Sequence, residues 1–200
     1  NIDIKKIEDA ITSRTTAILY ADIFGQSGDV DNLMKIAQKN NLKVISDTAQ
    51  SPGALYKGKF AGTLCDIGGF SLNYHKHIHC GEGGLVVTDS DILAEKVRLI
   101  RNHGEAVLKT HNVKDLSNII GHNFRLGEME ASIARQQLKK LSGFIRSRQY
   151  AADRLREGLQ GLNGLLLPLI SKECTHVYYV FGMIMNNNST ANKRDLIFSA

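Results

Sequence analysis

Two apolar segments separated by an amphipathic helical pattern constrain the fold of this chain more than any other feature. The segments are TTAILYADI (15–23) and LKVISD (42–47), and both have the length and composition of buried strands. Between them, an Asp that can cap a helix precedes apolar residues at i, i+3, i+4 and i+7; these residues are Asp29, Val30, Leu33, Met34 and Ala37. Strands joined by a helical crossover lie parallel in one sheet. The pattern therefore predicts an α/β fold with a ligand site at the carboxyl ends of its strands, where Asp47 lies.

The sequence around this unit predicts further strands and helices. We expect a helix over about 4–11 and short strands at DIGGFSL (66–72) and GLVVTD (84–89). Leu93, Val97 and Ile100 form the core face of a helix that ends at Gly104. Residues 104–122 show no clear period, which predicts a long loop with a functional role.

A long helical pattern separates this region from the end of the chain. It runs from about Gly127 to about residue 160, with one apolar stripe formed by Leu138, Leu141, Ile145, Ala152, Leu155 and Leu159. THVYYVFGMIM (175–185) then predicts a strand of a second unit. We therefore expect a large domain over 1–135, a bridging helix over 136–160 and the start of a smaller C-terminal α/β domain over 161–200. Because both ends of the chain are abrupt, we expect it to be a fragment of a longer protein.

The composition argues against several classes of partner. Lys and Arg number 25 against 20 Asp and Glu, but no basic run or interleaving of basic and aromatic residues accompanies the excess, so we expect no nucleic-acid partner. No stretch approaches the roughly 20 apolar residues of a membrane span, so we expect no membrane partner. The three cysteines, Cys65, Cys80 and Cys174, are odd in number and lack C-x-x-C spacing, so we expect reduced thiols in a cytoplasm rather than a disulfide framework.

The segment SLNYHKHIHCGEGG (71–84) concentrates groups that carry chemistry, and three interpretations compete. His75, His77 and His79 alternate, so on an extended strand they would share one face and could bind zinc together with Cys80. The glycines of GEGG could form an anion-binding turn, although they match no phosphate-loop motif. The third interpretation concerns Lys76. Desolvation and neighbouring cations both favour the neutral form of an amine, and a neutral amine can form a Schiff base with an aldehyde cofactor such as pyridoxal 5'-phosphate (PLP).

The surroundings of Lys76 favour the third interpretation. The stretch SDTAQSPGALYKGKFAGTLCDIGGFSLNYHKHIHCGEGGLVVTD (46–89) resembles the DegT/DnrJ/EryC1/StrS family of sugar-nucleotide aminotransferases. The likeness extends through FGQSGDVDNLM (24–34), RNHG (101–104) and GHNFRLGEMEA (121–131). The resemblance implies the aspartate-aminotransferase-like fold (PLP fold type I), whose large domain has three layers, α/β/α.

The resemblance also implies a role for each candidate residue. Lys76 would form the Schiff base with PLP and move the proton between cofactor and substrate carbons, while Asp47 would pair with the pyridinium nitrogen and keep it protonated. Gln50 would donate to the phenolic oxygen, Ala49 would pack on the ring, and Ser71 would bind the phosphate. Asn123 would reach a phosphate in the neighbouring subunit's site, so that a homodimer with shared active sites is expected.

The function implied by the resemblance is transfer of an amino group from an amino acid, most often glutamate, to a keto-deoxysugar nucleotide. Such a reaction serves the biosynthesis of amino sugars and cell-surface polysaccharides. A branch of the family carries His in place of the Schiff-base lysine and dehydrates sugars, so a PLP-dependent dehydratase is the alternative. A non-catalytic remnant that binds sugar nucleotides and a zinc-binding module also stay open. His75 and His77 depart from the family pattern, and we leave open whether they contact substrate or tune Lys76.

Overall fold

A computed structural model describes residues 1–105 and 119–185. The strands are β1 (Ala17–Ala21), β2 (Lys43–Asp47), β3 (Leu55–Tyr56), β4 (Lys59–Phe60), β5 (Ile67–Ser71), β6 (Gly84–Val87), β7 (Leu165–Leu166) and β8 (Ile184–Met185). The helices are α1 (Ile7–Ala10), α2 (Val30–Lys39), α3 (Asp91–Arg101), α4 (Glu128–Leu138) and α5 (Leu141–Leu159), with 3₁₀ turns at Ile4–Lys6 and Ile23–Gly25. None of the helices in these ranges is both long and apolar enough to cross a membrane.

The main sheet has four strands in the order β1, β2, β5, β6. The first two pairs are parallel, with Ala17 opposite Lys43 and Ile45 opposite Ile67. Strand β6 runs antiparallel to β5 and places Gly84 opposite Ser71. The predicted strand–helix–strand unit and its parallel pairing are therefore confirmed, and the sheet is mixed.

Helix α2 forms as its sequence pattern predicts. The Asp29 carboxylate accepts a hydrogen bond from the backbone N–H of Asn32 at 3.3 Å, which satisfies one of the free donors of the first turn. Leu33 and Ala37 are 1% exposed and belong to a core cluster that includes Val44 of β2. Burial of this apolar stripe against the sheet is what keeps the helix in place.

The long helix predicted between Gly127 and residue 160 is in fact two helices. The backbone N–H of Lys140 bonds to the carbonyl of Gln137 at 2.9 Å, which tightens the last turn of α4 before α5 begins. The stripe is not one buried face, since Leu138 and Leu155 are 57% and 48% exposed. Only its middle packs inwards, where Ile145 contacts the core cluster formed by Ala54, Ala61 and Val177.

The strand predicted over 175–185 is wrong except at its end. Only Ile184 and Met185 form a strand, which pairs with Leu165 and Leu166. The preceding residues pack onto the first unit instead: Val177 is fully buried, and its N–H donates to the Gly25 carbonyl at 2.8 Å. Val177 and Tyr178 are thus buried by tertiary contact rather than by pairing within a second sheet.

The loop predicted over 104–122 falls mostly outside the described residues, which resume at 119. Helix α3 ends as predicted, with the N–H of Gly104 bonded to the Leu99 carbonyl at 2.8 Å and Gly104 at φ +77°. The N–H of His122 donates to the Ile100 carbonyl at 2.7 Å, so the returning chain packs along the end of α3.

Candidate active site

The carboxyl edge of the main sheet presents an acidic side chain at the end of β2. Asp47 is the last residue of that strand, is exposed, and lies opposite Gly69 of β5. Its Oδ1 accepts a hydrogen bond from the backbone N–H of Ala49 at 3.0 Å. This bond orients the carboxylate and leaves its second oxygen available to a ligand.

Asp47, Gly69 and Ser71 lie on the same face of the sheet. Residues opposite one another on neighbouring strands point to one side, and so do residues two apart along a strand. A Cβ added to Gly69 would have only the Ser46 carbonyl oxygen within 4 Å, at 3.9 Å. The glycine therefore leaves open surface between the Asp47 carboxylate and the Ser71 hydroxyl, which suits a flat ring carrying a positive nitrogen and an anionic substituent.

A second acidic residue, which directly follows β1, lies at the same edge of the sheet, and sequence reasoning missed it. Asp22 is 1% exposed and accepts hydrogen bonds from the Gly28 N–H at 3.0 Å and from the Thr48 hydroxyl at 2.8 Å. Burial raises the pKa of this carboxyl, and the hydrogen bonds oppose the rise. Because Asp22 follows β1 as Asp47 ends β2, its place after an apolar run was the available signal.

The residues after Asp47 occupy the turn that leaves β2. Gln50 Oε1 accepts a hydrogen bond from the backbone N–H of Phe24 at 2.8 Å, which fixes the amide with its oxygen turned towards the β1–α2 connection. An amide held by its oxygen still has its two N–H donors for another partner. Ala49, between Asp47 and Gln50, is half-buried.

A tight turn after β5 presents Lys76. Asn73 organises this turn: its Oδ1 accepts from the His75 N–H at 3.1 Å, and its carbonyl accepts from the Lys76 N–H at 2.9 Å. The N–H of Asn73 donates to Ser71 Oγ at 3.2 Å, so the same residue links the hydroxyl to the lysine turn. An Asn side chain that bonds the backbone two residues later is a familiar turn former, and this was the signal for Asn73.

The segment 176–180 covers the lysine turn and connects it to the β1–α2 loop. The Lys76 Nζ lies 4.9 Å from the ring centroid of Tyr179, and His77 Nε2 lies 2.9 Å from the Val177 carbonyl oxygen. The N–H of Val180 donates to the carbonyl of Phe24, the residue that also donates to Gln50, at 3.3 Å. The structure thus connects Lys76 and Gln50 through this segment, whose part in the site no sequence pattern indicated.

The three histidines near Lys76 do not share a face. The segment forms turns rather than an extended strand; His77 is 5% exposed, whereas His75 and His79 are exposed. Burial lowers the pKa of His77, and the charges of Arg148 and Lys76 lower it further. Among the described residues, no three His, Cys, Asp or Glu side chains are grouped to hold a metal ion. The geometry required by the zinc interpretation is therefore not present at this turn.

Asn123 lies beside the end of α3. It is exposed and forms a β-bridge with Asn102, whose side-chain oxygen accepts from Arg125 at 2.9 Å. No hydrogen bond in the described part of the chain connects Asn123 to Asp47, Ser71 or Lys76. Asp47 and Ser71 are the last residues of neighbouring parallel strands; Ala49 and Gln50 follow the first strand, Lys76 follows the second, and Asn123 follows α3.

Several known proteins with similar sequences are named as sugar aminotransferases. The UDP-N-acetyl-3-dehydro-alpha-D-glucosamine 3-aminotransferase of Acidithiobacillus ferrooxidans is 39% identical over 181 residues, which cover 90% of this chain and 47% of that protein. The chain spans about half the length of the curated relatives it matches.

Solved structures share the fold over nearly the whole chain. The structure of S. venezuelae DesV in complex with a ketimine intermediate superposes with a TM-score of 0.87 at 33% identity, covering 99% of this chain and 50% of that one. The E. coli GDP-4-keto-6-deoxy-D-mannose-3-dehydratase with bound hydrated PLP superposes with a TM-score of 0.84 at 28% identity, covering 99% and 54%.

The match to a whole family agrees with these individual likenesses. The fold is that of PLP-dependent aminotransferases, as the resemblance implied. The family model for the DegT/DnrJ/EryC1/StrS aminotransferases matches residues 1–200. The chain therefore belongs to the DegT/DnrJ/EryC1/StrS aminotransferase family.

Proposed function

We propose that this chain supplies the cofactor-binding part of an enzyme that uses PLP to transfer an amino group to a keto-deoxysugar nucleotide. The donor in this proposal is an amino acid, L-glutamate, and the product is an amino sugar for polysaccharide biosynthesis. The single observation that carries the proposal is the shared face of Asp47, Gly69 and Ser71 beside the turn that presents Lys76.

The residues at this edge fit the cofactor by their chemistry. Asp47 would pair with the ring nitrogen, and its negative charge would favour the protonated form of that nitrogen. When bound, PLP supplies an electron sink for bond breaking at the substrate carbon. Gln50 would donate an amide N–H to the phenolic oxygen, Ala49 would contact the ring, and Ser71 would donate its hydroxyl to the phosphate.

Lys76 would have two tasks in this proposal. Its amine would hold the cofactor covalently between turnovers, and once released it would carry a proton to or from the reacting carbon. The Tyr179 ring supports the second task, because the ring face offers a resting place for a charged ammonium 4.9 Å away.

The proposal includes a homodimer and a cytoplasmic setting. Asn123 is exposed, so its side chain is available to contribute to a phosphate site in a second copy of the chain. Cys65, Cys80 and Cys174 are all free thiols, as suits a reducing compartment.

Spectroscopy on the full-length protein tests the assignment of Lys76. We expect PLP to produce the visible absorption band of a lysine Schiff base, and borohydride followed by peptide mapping to place the label on Lys76. Lys76→Ala should abolish both band and label, whereas Lys57→Ala, at a surface lysine paired with Asp31, should keep both. A label on any other lysine would reject the assignment.

A PLP-dependent sugar dehydratase is the second candidate, because a solved dehydratase shares the fold at a TM-score of 0.84. The two reactions differ in what happens to glutamate. Amino transfer releases one 2-oxoglutarate for each sugar aminated, whereas dehydration returns a sugar without nitrogen. The presence of lysine rather than histidine at position 76 favours amino transfer.

A further inference from the structure

A pocket of about 620 Å³ lies between the Lys76 turn and helix α5. The helix contributes Phe144, Ser147, Arg148 and Ala151, whose spacing of i, i+3, i+4 and i+7 places them on one face. The turn contributes Lys76 and the three neighbouring histidines. None of the described residues that line the pocket is acidic.

The positive charges around this pocket lack acidic partners. Arg148 donates one N–H to the Tyr178 carbonyl at 3.1 Å, which fixes the guanidinium at the pocket wall. Within residues 1–105 and 119–185, no carboxylate forms an ion pair with Arg148 or with Lys76. A guanidinium has five N–H donors in a planar fork, so Arg148 can still hold two oxygens of an anion side by side.

The buried histidine beside the pocket adds an independent observation. His77 is 5% exposed, and its Nδ1 is a buried atom without a hydrogen-bond partner among the described residues. Its Nε2 is committed to the Val177 carbonyl oxygen, so the imidazole carries its hydrogen there and Nδ1 is an acceptor. An anion that carries a hydroxyl or amino donor would satisfy both the cations and this acceptor.

We infer that the pocket between the Lys76 turn and α5 binds an anionic group, a phosphate or a carboxylate, of a substrate. Arg148 supplies the paired donors, and His75 lies where it can add an imidazole N–H. The inference rests on the proposed function for the source of the anion: the diphosphate of the sugar nucleotide or a carboxylate of the amino acid. Binding of the anion in this pocket makes and breaks no covalent bond.

Calorimetry on the full-length, PLP-loaded protein tests the inference with UDP and 2-oxoglutarate as separate probes. We expect Arg148→Gln to weaken one of them by about 10-fold or more, as the loss of a charged hydrogen bond does. A loss for UDP identifies the phosphate as the ligand, and a loss for 2-oxoglutarate identifies the carboxylate. The matched control is Arg154→Gln, which changes an exposed arginine of the same helix that pairs with Glu157 and should alter neither affinity.

Two further variants keep the outcome decisive. Arg148→Lys retains the charge without the fork and should lose less affinity than Arg148→Gln. His75→Glu adds a negative charge at an exposed side chain of the pocket and should weaken binding even if Arg148→Gln fails to fold. The inference is overturned if Arg148→Gln binds both probes with unchanged affinity. If Arg148→Gln is unfolded, the same result in His75→Glu overturns it.

The absorption band of the lysine Schiff base separates this inference from the proposed function. If the wild type shows the band but the variants bind both anions as tightly as the wild type does, the pocket assignment alone is overturned. The absence of the band in the wild type overturns the proposed function instead, whatever the probes show.

Discussion

The amine of Lys76 lies over the ring of Tyr179, with Nζ 4.9 Å from the ring centroid. A ring face attracts the localised charge of an ammonium more strongly than it attracts a lysine nitrogen joined to the cofactor as an imine, because any charge there is spread over the conjugated system. Tyr179 therefore stabilises the free lysine relative to the lysine joined to a cofactor.

This relationship predicts that removing the ring strengthens cofactor binding. Tyr179→Leu should lower the dissociation constant of PLP by about two- to five-fold, which corresponds to the roughly 0.5–1 kcal/mol of such a contact. Tyr179→Phe keeps the ring and should match the wild type. Titration of the full-length protein with PLP gives the comparison, and identical values for the Leu and Phe variants would contradict the role given to the ring.

The position of Asp47 predicts a loss of rate when its charge is removed. Asp47→Asn should reduce amino transfer by about 100-fold or more, because a neutral amide cannot stabilise the positive ring nitrogen. Single-turnover measurement with glutamate reports the rate directly. Asp31→Asn is the control, since Asp31 forms only an exposed ion pair with Lys57 and its loss should cost little. A normal rate in Asp47→Asn would exclude Asp47 as the partner of the ring.

The buried His176 predicts a decrease in stability at acidic pH. Burial, together with the charge of Arg156, lowers the pKa of His176 from 6.5 to about 4, and its Nδ1 accepts the Tyr178 N–H at 2.9 Å. The unfolded chain takes up the proton near pH 6.5 while the folded chain resists it. The free energy of unfolding should therefore fall as the pH drops from 6.5 towards 4, by roughly 3 kcal/mol in total.

Urea unfolding at several pH values checks the His176 prediction. His176→Leu should be less stable than the wild type at neutral pH, because the Tyr178 N–H loses its acceptor, but it should show a shallower decline with acid. Equal slopes for the two proteins between pH 6.5 and 4 would assign the decline to other groups.

The close approach of the segment 176–180 to Gly25 predicts a steric requirement for glycine. Gly25 has φ +116°, and an added Cβ would lie 2.7 Å from the Tyr178 nitrogen and 2.9 Å from the Tyr179 nitrogen. Gly25→Ala should therefore destabilise the protein by more than Gly58→Ala. Gly58 also has a positive φ, of +76°, but a Cβ there would meet nothing within 4 Å, so it measures the backbone cost alone, about 1 kcal/mol.

Thermal unfolding of the two glycine variants gives the difference between them. If the segment could shift freely, Gly25→Ala and Gly58→Ala would melt together. A larger loss for Gly25→Ala would indicate that the segment cannot shift far enough to make room for the added Cβ.

Local sequence patterns were enough to predict the elements that are stabilised by residues close to them in the chain. The parallel pairing of β1 and β2 followed from the crossover, and the start of α2 followed from Asp29. The division of the long helix at Lys139 and Lys140 was missed because an apolar stripe continues across two helices as readily as along one. The strand expected over 175–185 was wrong because the burial of Val177 depends on Gly25 and Ala54, more than 100 residues away in the chain.

The residues of the candidate site could be predicted from the sequence to a similar extent as the fold. Asp47, Ala49, Gln50, Ser71 and Lys76 could be proposed together because family motifs mark them, and their assignment as site residues stays a prediction. Tyr179 acts through a contact across the fold, which residue spacing does not encode, whereas the position of Asp22 after an apolar run was a usable signal. An Asn at position 73 is a local sign of a turn. The histidines and the lysine that follow it suggested other interpretations of the segment instead.

The hydrogen bond between His77 and the Val177 carbonyl joins positions 100 residues apart in the chain. Sequence changes beyond helix α5 can therefore alter the surroundings of Lys76, the proposed Schiff-base lysine, without touching it. Two relatives that carry the same residues between 71 and 84 need not have equally reactive lysines, and the cause of the difference would lie on the C-terminal side of that helix.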